Sequence, residues 1–265
     1  MSPRQHTSGP NRKPNVSRSP ADSALIIFAK APIPGQVKTR LCPPLTPDEA
    51  ASLHGSVVLD MLERSRGAAS MDRFVACAPS SDHVFFKILE ERHGVRLIAQ
   101  MGDDLGARMA RAIADVFALG YRQVLVIGAD LPTLPGSVFG ETVKLLASHD
   151  VVLGPALDGG YYLIGLRKPS PELFAGIPWS TDRVLPLTQQ KAAALGLHTT
   201  LLPVRRDIDT VDDLTAVIVE MGSTAGTRTI GDALSLRTAG VLRLLASRLR
   251  MPAQRTSKTM KTAVS

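Results

Sequence analysis

Three cations stand close together on a proline-rich loop, and this combination of residue types suits phosphate binding. Lys30, Lys38 and Arg40 fall within eleven consecutive residues, and Gly35 lies between them. A pyrophosphate group needs cationic side chains and exposed backbone amides, and a glycine allows a ligand near the backbone. A Walker A loop is excluded because Val37 stands where that loop needs glycine. Lys38 is also a candidate catalytic residue. The nucleotide-binding candidates on this loop are Ala29, Lys30, Pro34, Gly35, Lys38 and Arg40.

Two aspartates are candidates for holding a divalent cation. Asp130 follows a short apolar run at residues 124–127, and Asp209 lies in the sequence Asp-Ile-Asp-Thr at residues 207–210. Mg²⁺ is usually held by one or two carboxylates together with substrate phosphates. Asp130 and Asp209 therefore predict a site for Mg²⁺ or Mn²⁺. Each aspartate has an alternative role as a cap of the helix that follows it.

A turn at residues 157–162 combines one acid, two glycines and two tyrosines. An ordinary β-hairpin explains the glycines, but it does not need the aromatic rings. Sugars and bases pack on aromatic faces, so an acceptor could bind here. Asp158 or Asp182 could orient or deprotonate that acceptor, which makes both of them candidate catalytic residues. The acceptor-binding candidates are Gly159, Gly160, Tyr161 and Trp179.

A second glycine-containing stretch, Gly-Asp-Asp-Leu-Gly-Ala-Arg-Met at residues 102–109, opens a helix. Its glycines could admit a base or a ribose. The alternative is that its acids only interact with the dipole of the helix. The nucleotide-binding candidates in this stretch are Gly102, Asp104, Gly106 and Arg108.

Alternating strands and helices must position these candidates. Short apolar runs predict strands at residues 24–29, 74–78, 95–99, 124–127, 151–155, 161–166 and 198–203. Periodic segments with capping residues predict helices at residues 47–64, 82–92, 104–119, 137–148, 181–195, 210–221 and 230–249. This alternation predicts an α/β fold with a doubly wound, mostly parallel sheet and helices on both faces. The short turn before residue 161 implies an antiparallel step, so the sheet is mixed.

The positive charge of the 265-residue chain is concentrated at its two ends. The net charge is +7, of which residues 1–23 carry +3 and residues 247–265 carry +5, so residues 24–246 carry −1. The central part has no basic excess, which argues against nucleic-acid binding. Two cysteines are too few for a disulfide framework and suit a reducing compartment. Without a membrane-span pattern or a signal-peptide pattern, the sequence predicts a cytoplasmic protein.

Six stretches within residues 28–214 form a recognisable set: FAKAPIPGQVKTRL, GDDLGARM, VLVIGADLPTLP, GPALDGGYYLIGL, IPWSTDRVL and DIDTVDDL. Together they resemble the selenodomain-associated transferase 1 family, also called arsenosugar-biosynthesis glycosyltransferases. The resemblance implies a GT-A-like (Rossmann-like) fold of the nucleotide-diphospho-sugar transferase superfamily. More distantly, the chain is similar to the guanylyltransferases of phospholactate activation and molybdenum-cofactor maturation. One departure is Gly128, which stands where many GT-A glycosyltransferases have the first acid of an Asp-x-Asp motif.

The predicted domain organisation has four parts. A GT-A-like domain covers residues 24–221, and a helical extension covers residues 222–249. Residues 1–23 and 250–265 form basic tails rich in Ser, Thr and Pro, which we expect to be disordered.

These observations predict a metal-dependent glycosyltransferase that uses a nucleotide-diphospho-sugar donor, a small-molecule acceptor and Mg²⁺ or Mn²⁺. The first alternative is a nucleotidyltransferase that joins a nucleoside monophosphate to a phosphorylated acceptor, since a single acid before Leu-Pro resembles that pattern. The second alternative is a non-catalytic regulator that binds nucleotides. The sequence leaves the oligomeric state open.

Overall fold

A mixed sheet of seven strands forms the centre of the computed structural model, which describes residues 22–67, 71–222 and 235–249. The strands are β1 (Ser23–Lys30), β2 (Met71–Ala78), β3 (Arg96–Ala99), β4 (Gln123–Gly128), β5 (Val151–Pro155), β6 (Tyr161–Leu166) and β7 (Thr199–Leu201). Their order across the sheet is β3-β2-β1-β4-β6-β5-β7. Within this sheet β6 runs antiparallel to β4 and β5, and the other pairs are parallel. The prediction of a mixed, mostly parallel sheet is confirmed.

The register of β1 against β4 determines where the site begins. Phe28 lies opposite Gly128 in the parallel pairing, so the chain leaves both strands at the same edge of the sheet. Lys30 and Asp130 each stand two residues beyond this pair. The predicted phosphate loop and the first predicted metal ligand therefore start side by side.

Helices cover both faces of the sheet, as the alternating pattern predicts. They are α1 (Pro47–Ser65), α2 (Val84–His93), α3 (Leu105–Phe117), α4 (Ser137–Leu145), α5 (Val184–Ala194), α6 (Val211–Gly222) and α7 (Leu236–Leu249). Successive strand residues point to opposite faces. Leu25 and Ile27 therefore pack against α1, α2 and α4, whereas Ala24 and Ile26 pack against α3 and α5. This arrangement is the doubly wound α/β fold that the sequence predicts.

The start of α1 follows the sequence signal for a helix N-terminus. The Glu49 amide donates to the Thr46 hydroxyl at 3.3 Å, and the Thr46 amide donates to the Glu49 carboxylate at 2.8 Å. Pro47 occupies the first helical position, where its missing N–H removes no helical hydrogen bond. This reciprocal cap fixes the point at which the long loop after β1 ends.

The start of α5 lies three residues later than the sequence predicts, at Val184 rather than Thr181. Ser180 has a left-handed backbone with φ of 65°, which directs the chain into a turn. The Thr181 hydroxyl then donates to the Pro178 carbonyl at 2.7 Å instead of capping a helix. The turn places residues 179–181 at the edge of a cavity.

The last helix packs against α1 and α6 through a separate hydrophobic cluster. That cluster includes Leu53, Val57, Val217, Ile218, Ala239 and Leu242. Arg237 of α7 pairs with the buried Asp60 of α1 at 3.1 Å. The predicted tails lie outside the described residues, apart from Asp22 and Ser23, and so does the segment at 223–234 that includes the predicted start of the last helix. None of the helices in the described ranges is long and apolar enough to span a bilayer.

Candidate functional site

A cavity of about 470 Å³ opens at the carboxyl ends of β1 and β4, where the sequence predicts a ligand site. The predicted site residues that line it are Ala29, Lys30, Lys38, Arg40, Asp130, Asp158, Gly160, Tyr161, Trp179 and Asp209. The predicted site residues outside this lining are Pro34, Gly35, Gly102, Asp104, Gly106, Arg108, Gly159 and Asp182.

The ammonium group of Lys38 joins the two predicted metal ligands. Its Nζ lies 2.6 Å from Asp130 Oδ1 and 3.7 Å from Asp209 Oδ1, and it donates a hydrogen bond to the Ile208 carbonyl. The Lys38 side chain is only 5% exposed. Its backbone has a left-handed φ of 49°, a conformation that a non-glycine residue keeps only where its surroundings hold it. The loop and the two aspartates therefore form one connected charged cluster.

The other two cations of the loop face solvent more openly. Arg40 Nη1 donates to Asp209 Oδ2 at 2.6 Å, and the Arg40 side chain is 68% exposed. Lys30 is also exposed and lines the cavity. An incoming anion can therefore meet Lys30 and Arg40 at the surface before it reaches the buried ammonium of Lys38.

The acids of the cavity differ in their protonation chemistry. Partial burial by itself would raise the pKa of Asp130, but the ion pair and hydrogen bond with Lys38 outweigh it and hold this pKa below the usual range. Burial, followed by the neighbouring carboxylate of Asp158, raises the pKa of Asp207 to about 6. Asp207 lines the cavity as well. Asp130 is thus kept as an anion, while Asp207 lies in a place where a second negative charge is unfavourable.

The donor atoms around Lys38 fit a divalent cation that is shared with a substrate. Asp130 and Asp209 are each 44% exposed, and their Oδ1 atoms already surround one positive charge. In the described part of the chain no three His, Cys, Asp or Glu side chains are grouped to hold a metal by themselves. Two carboxylates completed by phosphate oxygens and water are a usual arrangement for Mg²⁺. The residues present therefore fit such a cation, provided that the substrate contributes ligands.

Aromatic rings form one wall of the cavity. Trp179 stacks on Phe174, with ring centroids 6.5 Å apart, and meets the edge of Tyr161 at 6.3 Å. Trp179 lies so close to Gly106 that a Cβ atom there would stand 2.5 Å from Trp179 Nε1. Gly106 therefore makes room for the indole ring. The cavity therefore combines a charged cluster with an apolar, aromatic wall.

The stretch at residues 102–109 mainly organises its own helix. Asp104 Oδ1 accepts from the Ala107 amide at 2.7 Å, which caps α3. Arg108 Nε donates to the Gly102 carbonyl at 2.9 Å. Of this stretch Leu105 and Met109 line the cavity, and both are apolar. The four residues predicted here as nucleotide contacts thus lie outside the cavity lining.

The turn between β5 and β6 presents one acid to the cavity. The Gly160 amide donates to Asp158 Oδ1 at 2.9 Å, so the carboxylate is anchored to its own turn. Gly159 has φ of 88°, and a Cβ there would lie 2.4 Å from the Cα of Asp182. Asp158 lines the cavity, whereas Asp182 is exposed and lies outside the lining. Of the two predicted acids, Asp158 is the better placed to meet an acceptor.

His54 and Gln100 are among the polar residues that line the cavity without having been predicted. His54 of α1 is 6% exposed, and its Nε2 lies 3.0 Å from the Lys30 carbonyl oxygen. Gln100 donates its side-chain amide to the carbonyls of Ala29 and Ala76 at 3.2 and 2.8 Å. The sequence signal for His54 is one polar ring on the otherwise apolar face of a helix. Because a histidine that only packs in the core has the same pattern, the sequence does not show whether His54 is a core residue or a site residue.

Comparisons with known proteins agree with this architecture. A family model described as "uncharacterized protein conserved in bacteria" (DUF2064) matches residues 61–181. A crystal structure from Desulfovibrio desulfuricans G20, provisionally described as a nucleotide-diphospho-sugar transferase, is 32% identical with a TM-score of 0.76. That alignment covers 87% of this chain and 97% of the other. No curated protein matches the sequence.

Two other solved structures are more distant. A CMP:2-keto-3-deoxy-manno-octonic acid synthetase in complex with CTP is 12% identical, with a TM-score of 0.48 over 74% of this chain and 96% of its own. A cytidylyltransferase from Leptospira borgpetersenii serovar Hardjo-bovis is 13% identical, with a TM-score of 0.48 over 85% of this chain and 95% of its own.

Proposed function

Because the chain belongs to the nucleotide-diphospho-sugar transferase superfamily, we propose that it transfers a sugar from a nucleotide-diphospho-sugar to a small-molecule acceptor with the help of a divalent cation. The observation that supports this most is the cluster of Lys38, Asp130 and Asp209 at the edge of the cavity. It combines a buried cation with two partly exposed carboxylates, which is the chemistry that a cation-bound diphosphate requires. The protein is thus a transferase whose phosphate site can be tested directly.

The loop after β1 would bind the diphosphate. Lys30 and Arg40 are exposed at the mouth of the cavity, where they can meet the phosphates first. Asp130 and Asp209 would hold Mg²⁺ or Mn²⁺, which supplies positive charge beside the departing diphosphate. Lys38 lies beside both carboxylates, so its ammonium would be released towards the phosphates when another cation takes that place. Two sources of positive charge would then face the leaving group.

The acceptor would lie between the turn at residues 156–160 and the aromatic wall. Tyr161 and Trp179 offer flat apolar faces there, and Asp158 offers a carboxylate that lines the same cavity. In the transfer, the bond between the anomeric carbon and the diphosphate oxygen breaks, and its electron pair leaves with the nucleoside diphosphate. A bond from the acceptor hydroxyl to the anomeric carbon forms, and Asp158 accepts the hydroxyl proton.

One feature favours nucleotidyl transfer as a second candidate. Gly128 leaves Asp130 as the single acid of its segment, followed by Leu131 and Pro132. In this reaction a phosphate oxygen of the acceptor would attack the α-phosphorus of a nucleoside triphosphate, and pyrophosphate would leave. The same loop and aspartates would serve both reactions, but the products differ.

The products distinguish the two candidates. Purified protein is incubated with a panel of nucleotide-diphospho-sugars or nucleoside triphosphates, each with sugar, sugar phosphate and alcohol acceptors, and with Mg²⁺ or Mn²⁺. Release of a nucleoside diphosphate from a nucleotide sugar supports glycosyl transfer. Release of pyrophosphate from a triphosphate supports nucleotidyl transfer instead. Failure to turn over or bind any donor would contradict both.

Asp130→Asn tests the metal part of the proposal. We expect this variant to stay folded, with a lower melting temperature because the buried ammonium of Lys38 loses its charged partner, and to lose the part of nucleoside-diphosphate binding that depends on Mg²⁺. Asp115→Asn is the control, because Asp115 lies on α3 in an exposed pair with Arg111. Calorimetry with and without Mg²⁺ measures the difference. Equal Mg²⁺ dependence in the wild type and Asp130→Asn would contradict the assignment of Asp130 as a ligand.

A further inference from the structure

His54 is a buried polar group that the proposed chemistry does not yet use. It lies in α1 beneath the loop after β1 and lines the cavity with 6% of its surface exposed. The next residue, Gly55, faces Pro32 of the loop, since a Cβ there would stand 3.4 Å from the proline ring, in ordinary van der Waals contact. The helix thus brings one ring into contact with the exit of β1 and with the floor of the site.

The hydrogen bond to Lys30 fixes the tautomer of the ring. The Lys30 carbonyl can only accept, so His54 Nε2 must carry the hydrogen in this 3.0 Å contact. Burial lowers the pKa of His54, which favours the neutral form. Nδ1 is then a hydrogen-bond acceptor with its lone pair available. It is buried and has no hydrogen-bond partner among the described residues.

Charged groups surround His54, but none of the described residues donates a hydrogen bond to its Nδ1. Among the charged groups that act on His54, Asp130 has the strongest effect, followed by Lys38 and Lys30. Asp130 is an acceptor, and the ammonium of Lys38 has two of its three hydrogens on Asp130 and the Ile208 carbonyl, with Asp209 Oδ1 at 3.7 Å from Nζ. A buried acceptor without a donor is unfavourable. A donor that arrives with the ligand would therefore stabilise the bound state selectively.

We propose that His54 is a positioning residue whose Nδ1 accepts a hydrogen bond from a water molecule bound to the divalent cation at Asp130 and Asp209. This inference rests on the proposed function, because it assumes a cation at that place. Mg²⁺ gives up its water reluctantly and usually keeps several molecules, each of which is a hydrogen-bond donor. Residues that hold such outer partners orient the ligands and affect metal affinity. His54 also fixes the Lys30 carbonyl, so one ring couples the phosphate loop to the cation.

Two substitutions separate the two nitrogen atoms of the ring. His54→Gln can place its amide nitrogen near the position of Nε2, which keeps the bond to Lys30 and removes the Nδ1 acceptor. His54→Asn can place its amide oxygen near Nδ1 and loses the bond to Lys30. Free Mn²⁺ is followed by electron paramagnetic resonance while each protein is titrated, with Mn²⁺ alone and then with UDP or GDP. We expect His54→Gln to bind Mn²⁺ about ten- to a hundredfold more weakly than the wild type, and His54→Asn to stay within about threefold.

A purely structural role predicts a different result. If the ring only supports the loop, His54→Gln will retain Mn²⁺ affinity, and this result overturns the proposal. Equal losses in both variants also overturn it. A wild type that binds nucleotide but never Mn²⁺ overturns the cation site of the proposed function together with this inference, so the two failures are distinguishable.

A measurement on the wild type covers the case in which a variant fails to fold. The imidazole ¹⁵N resonances are recorded before and after addition of Mg²⁺ with UDP or GDP, and His54 is identified among the six histidines by its absence in a folded substitution or by through-bond assignment. We expect the Nδ1 resonance to move towards the value of a hydrogen-bonded acceptor while Nε2 stays protonated. An unchanged Nδ1 resonance in a Mg²⁺-saturated protein overturns the proposal.

Discussion

The loop after β1 and the loop after β3 leave the sheet at the same edge, and both contain glycine and charged side chains. The first loop places Lys38 beside aspartates from two other segments of the chain. At the second loop, Asp104 and the helix residue Arg108 bond to amide and carbonyl groups around the start of the same helix. Although the two loops have similar compositions, the charged side chain of the first contacts distant segments, and those at the second contact their own helix start.

The lengths of the two connections explain this difference. Residues 31–46 connect β1 to α1, whereas only residues 100–104 connect β3 to α3. A short connection brings its last acid to the N-cap position, where unpaired amides of the helix compete for the carboxylate. A long connection can cross the edge of the sheet and reach groups after β4 and before α6. Side chains of long loops at this edge are therefore the better candidates for ligand contacts.

We expect the replacement of Lys38 to have the largest effect on nucleotide affinity and thus to test the difference between the two loops most directly. Lys38→Met keeps a long unbranched side chain but removes the charge, so the phosphates of a nucleotide would face Asp130 and Asp209 without compensation. A hydrogen bond to a charged group contributes about 1.5–3 kcal/mol, which corresponds to about ten- to a hundredfold in affinity. Calorimetry with UDP and GDP measures the loss. Without nucleotide the sign should reverse, and Mn²⁺ should bind Lys38→Met more tightly, because no ammonium competes for the carboxylates.

Lys168→Met is the matched control for this prediction. Lys168 is exposed after β6, and the antiparallel direction of β6 takes the chain to the opposite edge of the sheet. A solvated lysine there should change nucleotide affinity by less than about twofold, as exposed charges contribute little. If both variants bind nucleotide equally well, the loop after β1 does not hold the phosphates, and the contrast between the two loops disappears.

Gly106, in the first turn of α3 directly after the second loop, has a packing role that can be tested. A Cβ at this position would meet Trp179 Nε1 at 2.5 Å and the Phe174 carbonyl at 2.7 Å. We therefore expect Gly106→Ala to lower the free energy of unfolding by about 1–3 kcal/mol and to change the fluorescence of Trp179, which is the only tryptophan. Gly140→Ala in α4 is the control, because a Cβ there meets nothing within 4 Å.

The two glycine substitutions should have opposite signs. Alanine is favoured over glycine in an exposed helix by up to about 1 kcal/mol, so Gly140→Ala should raise the melting temperature. Thermal unfolding followed by circular dichroism compares the variants. A Gly106→Ala protein that is as stable as the wild type would show that Trp179 can move away from α3, and the aromatic wall would then be less rigid than its contacts indicate.

The sequence predicts the elements of this fold well because each one carries a local signal. The apolar run before Asp130 and the capping box of Thr46 and Glu49 both depend on neighbouring residues alone. The meeting of Lys38 with Asp130 could be expected only in part. Parallel strands bring their ends together, but the sequence does not indicate that the ammonium lies between two carboxylates rather than free to meet a phosphate.

Other features of the site depend on contacts between distant segments. Asp207 approaches Asp158 because an isolated parallel bridge pairs Ala156 with Arg205, and no local pattern encodes that bridge. His54 reaches the cavity because α1 packs beneath the exit of β1, at a carbonyl 24 residues earlier in the chain. At Gly106 the sequence predicts a nucleotide contact that the structure does not place in the cavity lining. The glycine instead makes room for Trp179.

The smallest expected effect concerns Asp104, whose replacement tests whether the second loop contacts the nucleotide. Asp104→Ala removes the acceptor for the Ala107 amide, and loss of such a cap costs about 0.5–2 kcal/mol of stability. Since Asp104 lies outside the cavity lining, nucleotide affinity well below the melting temperature should stay within about twofold of the wild type, a change of less than about 0.5 kcal/mol.

Asp103→Ala, at the neighbouring exposed residue, controls for the removal of one negative charge. Thermal unfolding and calorimetry with UDP and GDP report the two quantities separately. A tenfold loss of affinity in Asp104→Ala but not in Asp103→Ala would show that this loop contacts the nucleotide, and the short connection would then share the role that we assign to the long one.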